Sequence, residues 1–377
     1  MTPGLPDALE LTRALIRFDT INPPGQERDC ADYLAGMLEA GGLDVTRHEF
    51  ADGRRSLVAR LAGEGDGAPL CFTGHIDTVP LGHRAWSVDP FAGEVADGKL
   101  YGRGSTDMKS GVACLTLAAL RLAKMPRPRA GLVLVITAGE ETGCEGAAHL
   151  AAEGALGEAG AIVVGEPTSN YPLVGHKGAL WLKAVTEGVT AHGSMPERGV
   201  NAVYKAARAV TRLEEFGFNA PHHDLLGAPT LNVGTVSGGI NVNSVPDHAE
   251  IGIDIRSVPG LGHGGVMKQL TQYLGDDVEL EAVVDVEAVA TNPDDPWVRD
   301  VFAVMSGYLG EDPRPRGAPY FTDASVLTRA YGGPPTVILG PGEAHMAHQT
   351  DEYCLVERLD VAVDAYAEIA RRWCGED

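Results

Sequence analysis

The stretch Phe72-Thr-Gly-His75-Ile-Asp77-Thr-Val-Pro80 follows a short apolar run at 70–72 and sets a histidine two residues before an aspartate, just past a glycine. Similar four-to-six-residue runs occur at 132–136, 161–164 and 336–339, each flanked by Gly or Pro. Such runs read as buried strands of a sheet covered by helices on both faces. Helical spacing of apolar residues at 8–16, 30–40 and 109–123 supplies the covering layers. The pattern is α/β, and in such sheets chemistry gathers at the carboxyl ends of strands, where His75 and Asp77 fall.

The middle of the chain reads differently. Ile251, Ile253 and Ile255 alternate with Gly252, Asp254 and Arg256, as in a strand with one solvated face. A helical stripe runs through 201–216. Over 178–286 the order is strand, helix, strand, strand, helix, strand, the split βαβ pattern of a small α+β, ferredoxin-like domain. With 377 residues, the chain exceeds the roughly 250–300 at which one core stops growing. The expected organisation is a catalytic domain of 1–176 and 288–377, interrupted by an inserted domain at 177–287.

Lys and Arg number 30 against 52 Asp and Glu, so the net charge is −22. This argues against a nucleic-acid partner or an anionic membrane surface. No run approaches the roughly 20 apolar residues of a membrane span, and the first ten residues lack the layout of a secretion signal. A cytoplasmic protein is expected. Cys30, Cys71, Cys114, Cys144, Cys354 and Cys374 include no C-x-x-C pair, which suits reduced thiols.

Four further segments carry acids or histidines beside apolar runs. In Tyr101-Gly-Arg-Gly-Ser-Thr-Asp107-Met-Lys-Ser-Gly111 the Gly-x-Gly spacing is not a dinucleotide loop, because Asp107 follows where a third glycine belongs. Asp107 opens a helix, so it is either an N-cap or a carboxylate offering one oxygen to each of two metals. In Ile136-Thr-Ala-Gly-Glu140-Glu141-Thr-Gly143 two adjacent carboxylates after a buried strand call for cations to neutralise them. Glu141 suits a ligand, and Glu140 suits the acceptor of a proton from attacking water. Glu166 follows the run at 161–164, and His345 and His348 follow the last strand. The expectation is that five sheet strands each deliver a zinc-type ligand or base at their ends.

These motifs, in this order, resemble the zinc metallopeptidase family of acetylornithine deacetylase, succinyl-diaminopimelate desuccinylase, aminoacylase and carboxypeptidase G2, over nearly the whole chain. The resemblance implies a zinc-exopeptidase-like catalytic domain with a mixed sheet, two Zn²⁺ per chain (replaceable by Co²⁺ or Mn²⁺), and a lid domain that also forms a homodimer. His75, Asp107, Glu141, Glu166 and His348 match metal ligands; Asp77 matches the residue that orients the histidine, and Glu140 the general base. His345 falls three residues too early. The position matching Asp107 is typically followed by a cis peptide. His192 matches an oxyanion-stabilising histidine that reaches across the dimer. Arg256 and Asn243 resemble binders of the substrate carboxylate, and Thr322 a pocket residue. The implied reaction removes the acyl group of an N-acyl amino acid. Acetylornithine is the foremost substrate, with desuccinylase, dipeptidase or glutamate carboxypeptidase activity as alternatives. A non-catalytic metal-binding homologue is the alternative of another class.

Overall fold

The computed structural model describes residues 5–126 and 128–375. The ends of the catalytic segments, at 1–4 and 376–377, therefore lie outside the described residues, as does position 127. The chain forms two compact units, one of Met1–Gly175, Ala290–Arg316 and Thr322–Asp377, the other of His176–Val289 and Gly317–Phe321. The short piece Gly317–Phe321 was expected with the last catalytic segment. It joins the second unit because Lys177 donates its backbone N–H to the Ala318 carbonyl at 3.0 Å.

The first unit is built on a six-stranded sheet in the order Asp44–Ala51, Arg54–Leu61, Leu132–Thr137, Leu70–His75, Ala161–Val164, Thr336–Ile338. The last four run parallel and the first two pair antiparallel, so the sheet is mixed. Leu70–His75 and Leu132–Thr137 are buried at every position. Two-sided burial explains why both read as continuous apolar runs instead of alternating ones. Leu70–His75 lies between Leu132–Thr137 and Ala161–Val164, which are reached by successive crossovers to opposite sides. Its carboxyl end is thus a switch point, where crossing connections leave a crevice.

Two close backbone approaches bring the loops together there. A side chain at Gly111, on the helix Lys109–Leu122, would place its Cβ 1.9 Å from the Gly165 carbonyl oxygen. One at Gly340 would lie 2.4 Å from the Glu166 carbonyl oxygen. Only glycine lets these segments pack so near Glu166.

The second unit has a four-stranded antiparallel sheet in the order Thr230–Gly238, His248–Ser257, Gly178–Glu187, Glu279–Val286, with helices Ala202–Glu214 and His263–Leu274. This is the split βαβ order. Ile251, Ile253 and Ile255 turn inward and pack with Ala206, Leu213 and Leu270 of the two helices, joining a period of two to one of 3.6. Asn201 caps the first helix by accepting the Tyr204 N–H at 3.0 Å. No helix among the described residues is long and apolar enough to cross a membrane, and all six cysteines are buried.

Candidate metal centre

His75 ends its strand, opposite Thr137 in the neighbouring strand. Its Nδ1 donates to the Asp77 backbone carbonyl at 3.0 Å, since a carbonyl can only accept. That leaves Nε2 aimed at Asp107 Oδ1, 3.3 Å away, and at Glu166 Oε1, 3.7 Å away. The other Asp107 oxygen, Oδ2, lies 3.4 Å from His348 Nε2, which is 3.2 Å from Glu141 Oε2. Asp107 therefore faces two imidazoles with different oxygens. His75, Asp107 and Glu141 bring ligand atoms within 4.8 Å of one another. The Asp107–Met108 peptide is cis. Asp107 does not cap the helix that follows: Met108 holds that position without a side-chain cap.

Asp77 is fully buried and saturated. It accepts the backbone N–H groups of Glu140 and Glu141 at 3.1 Å each, and the Asn22 amide at 3.0 Å. Its Oδ1 is 3.4 Å from His75 Nδ1. One carboxylate thus fixes both the histidine and the turn that bears the two glutamates.

The electrostatics call for cations. Burial raises Glu140 and Glu166 well above the usual carboxylate range, and each is raised further by neighbouring acids, including Glu141 and Asp323. Burial, and then Asp107, raises Glu141. Burial would depress His75, but Asp107 and Asp77 outweigh it and hold the ring well above its ordinary value. Hydrogen bonding to Asp107 and Glu141 pushes His348 up to about 10. The neighbouring carboxylates thus favour the cationic form of each imidazole.

Imidazole nitrogens with carboxylate oxygens form a donor set suited to zinc. Glu141 Oε1 and Asp323 Oδ1 are buried acceptors without a hydrogen-bond partner. Six carboxylates, of Asp77, Asp107, Glu140, Glu141, Glu166 and Asp323, surround two imidazoles. Protonating both rings does not balance them. The residues fit bound metal, which His75, Asp107, Glu141, Glu166 and His348 could hold.

The peptidase family M20/M25/M40 pattern matches residues 71–372. The chain belongs to this family. It is 33% identical over 362 residues to the acetylornithine deacetylase of Myxococcus xanthus, covering 91% of this chain and 92% of that one. It is 30% identical over 401 residues to a probable succinyl-diaminopimelate desuccinylase of Staphylococcus epidermidis, covering 97% and 98%. The M20 metallo-carboxypeptidase Sso-CP2 of Sulfolobus solfataricus shares the fold, with a TM-score of 0.84 at 18% identity over 98% and 100% of the two chains. This M20 member is accordingly a metal-dependent hydrolase of amide bonds.

One expectation needs correction. Only four of the five ligand-bearing segments follow strands of the central sheet. Asp107 follows Lys99–Tyr101, which belongs to a separate three-stranded sheet with Tyr353–Leu355 and Val95–Ala96. Thr322 is also not a free pocket hydroxyl: it is fully buried, and its oxygen accepts the Ala324 N–H at 3.1 Å.

Within the second unit, His192 and Asn243 are brought together. Ala191–His192 pairs with Ser244–Val245, and Asn243 accepts the Gly193 N–H at 2.7 Å. Both are exposed, and His192 Nδ1 meets the Ser194 hydroxyl at 2.8 Å. Arg256 stands at the far end of the sheet, opposite Ala179, whereas His248 at the near end is opposite Glu187. Eight residues of strand separate the two ends, about 26 Å at a rise of about 3.3 Å. The Arg256 guanidinium binds Asp254 at 2.9 Å and lies 5.8 Å from the Phe321 ring centre.

Four residues escaped the sequence reading. Asn22 holds Asp77. Asp323 stands at the N-cap of Ala324–Ala330, yet its carboxylate accepts the Thr137 hydroxyl instead of capping. Glu352 and Arg103 pair in a fully buried contact. Asp351-Glu352 was visible as an acid pair beyond His348, but nothing in the chain links it to an arginine 249 residues away.

Proposed function

We propose that this enzyme is a di-zinc amidohydrolase that removes the acyl group from an N-acyl amino acid, with N-acetylornithine the foremost substrate. The observation that carries the two-ion reading is Asp107, whose oxygens face His75 and His348 separately. Bound zinc would supply Lewis-acid polarisation of the amide carbonyl and activation of the attacking water. His75, Glu166 and Asp107 would hold one ion, and His348, Glu141 and Asp107 would hold the other. Glu140, the buried acid of the pair after its strand, takes the water's proton and returns it to the leaving amine. Asp77 orients His75 and anchors the Glu140 backbone. His192 donates to the developing oxyanion, and Arg256 with Asn243 recognises the substrate carboxylate.

The reading includes a homodimer formed through the second unit. Thr230–Gly238 is an edge strand of its sheet, and Val236, Ile240 and Val242 nearby are exposed at 54%, 93% and 104%. Such an edge is a template for pairing with another chain. The separation of His192 from Arg256 within one unit favours contributions from two protomers.

The second substrate reading is N-succinyl-diaminopimelate, favoured by the near full-length match to the Staphylococcus epidermidis relative. Comparing kcat/KM across N-acetyl, N-succinyl and dipeptide substrates decides between them. The acetylornithine reading fails if the N-succinyl or dipeptide substrates are preferred.

A further inference from the structure

Glu352 lies on the same loop as His348 and is fully buried. Its carboxylate accepts the Arg103 guanidinium and the backbone N–H groups of Gly104 at 3.1 Å, Thr106 at 2.8 Å and Asp107 at 3.0 Å. Its own carbonyl accepts the Gly102 N–H at 3.0 Å. The turn that delivers Asp107 is wrapped around one side chain. Thr106 reinforces the joint: its hydroxyl donates to the Tyr353 carbonyl at 2.7 Å and accepts the Glu343 N–H at 2.9 Å. Arg103 is itself held, donating to the Pro80 carbonyl at 3.1 Å.

The two ion positions are supported unequally. His75 sits in a strand bonded on both sides, and Glu166 follows a strand in the same sheet. His348, by contrast, lies in a loop with φ of 62° and a side chain 55% exposed. His348 and Asp107 come from two loops that meet at Glu352. We infer that Glu352, neutralised by Arg103, is a positioning residue on which metal occupancy depends far more on the His348 side, where both His348 and Asp107 hang on it, than on the His75 side, where His75 and Glu166 are fixed by the central sheet. This rests on the two-ion reading above.

An amide at position 352 removes the charge opposite a buried guanidinium and turns an NH₂ toward backbone donors. Both leave buried groups unmatched. Support residues of this kind typically change metal affinity by about 10–100-fold. The test is a zinc titration of metal-free protein against a chromophoric chelator, for the wild type, Glu352→Gln and Glu352→Asp, with folding followed by circular dichroism.

Two constants are expected for the wild type. In the variants one should weaken about 10–100-fold and the other by less than about threefold. In a His348→Ala background, adding Glu352→Gln should change the remaining constant by less than about threefold. Excess zinc should restore the occupancy of the variants. One zinc in the wild type would defeat the two-ion reading itself. Two zincs in the wild type, with both constants unchanged or both equally weakened in the variants, would overturn the inference alone. So would failure of both variants to fold in saturating zinc, since Glu352 would then serve the whole unit.

Discussion

Asp77 accepts the backbone N–H of Glu140 at 3.1 Å, so the carboxylate beside His75, the proposed ligand, also anchors the proposed proton acceptor. One buried carboxylate contacts both, and disturbing it should be felt at both.

Asp77→Asn is therefore expected to weaken zinc binding by about 10–100-fold and to lower kcat even when zinc is saturating. Metal titration and steady-state kinetics at high zinc separate the effects. Full activity at saturating zinc would show that Asp77 acts on His75 alone.

Glu140→Ala should reduce turnover by at least the 10²–10⁴-fold typical of a lost general base, with metal content unchanged. Elemental analysis of the variant is the check. Loss of metal would make Glu140 a ligand instead.

His192→Ala should lower kcat by about 10²–10³-fold, the usual effect of removing one oxyanion donor. A mixed dimer of this variant with Glu140→Ala should regain partial activity, because one of its two sites then holds both an intact base and an intact histidine. No recovery would argue for action within one chain.

Removing metal by chelation should lower the melting temperature, since Glu140, Glu141 and Glu166 would be left buried together without a cation. Equal melting of metal-free and zinc-loaded protein would contradict the charge balance drawn for the site.

His176 is fully buried, its Nε2 has no partner, and burial lowers its pKa to about 4. A depressed histidine stabilises the fold above its unfolded value of about 6.5, and that contribution is lost as pH falls toward 4. Stability of the second unit should drop by about 2 kcal/mol between pH 7 and pH 5 from this group alone. Denaturant unfolding at the two pH values should show a smaller drop for His176→Gln, which cannot take up the proton.

By itself, the sequence determined the fold class, the inserted α+β unit and the candidate ligand set. Each rests on properties local to a few residues: two-sided burial makes strands uniformly apolar, one-sided burial imposes a period of two, and strand ends in such sheets carry the chemistry. Only the tertiary structure decided that the two oxygens of Asp107 face different histidines, that Asp107 comes from outside the central sheet, and that Thr322 is consumed in a backbone contact. It alone joined Glu352 to Arg103 across 249 residues and put His192 in a two-stranded ribbon with Ser244–Val245 while Arg256 lies in the separate four-stranded sheet. Those relationships depend on strand order and crossover, which make neighbours of residues far apart in the chain and leave no periodicity in the sequence to mark them.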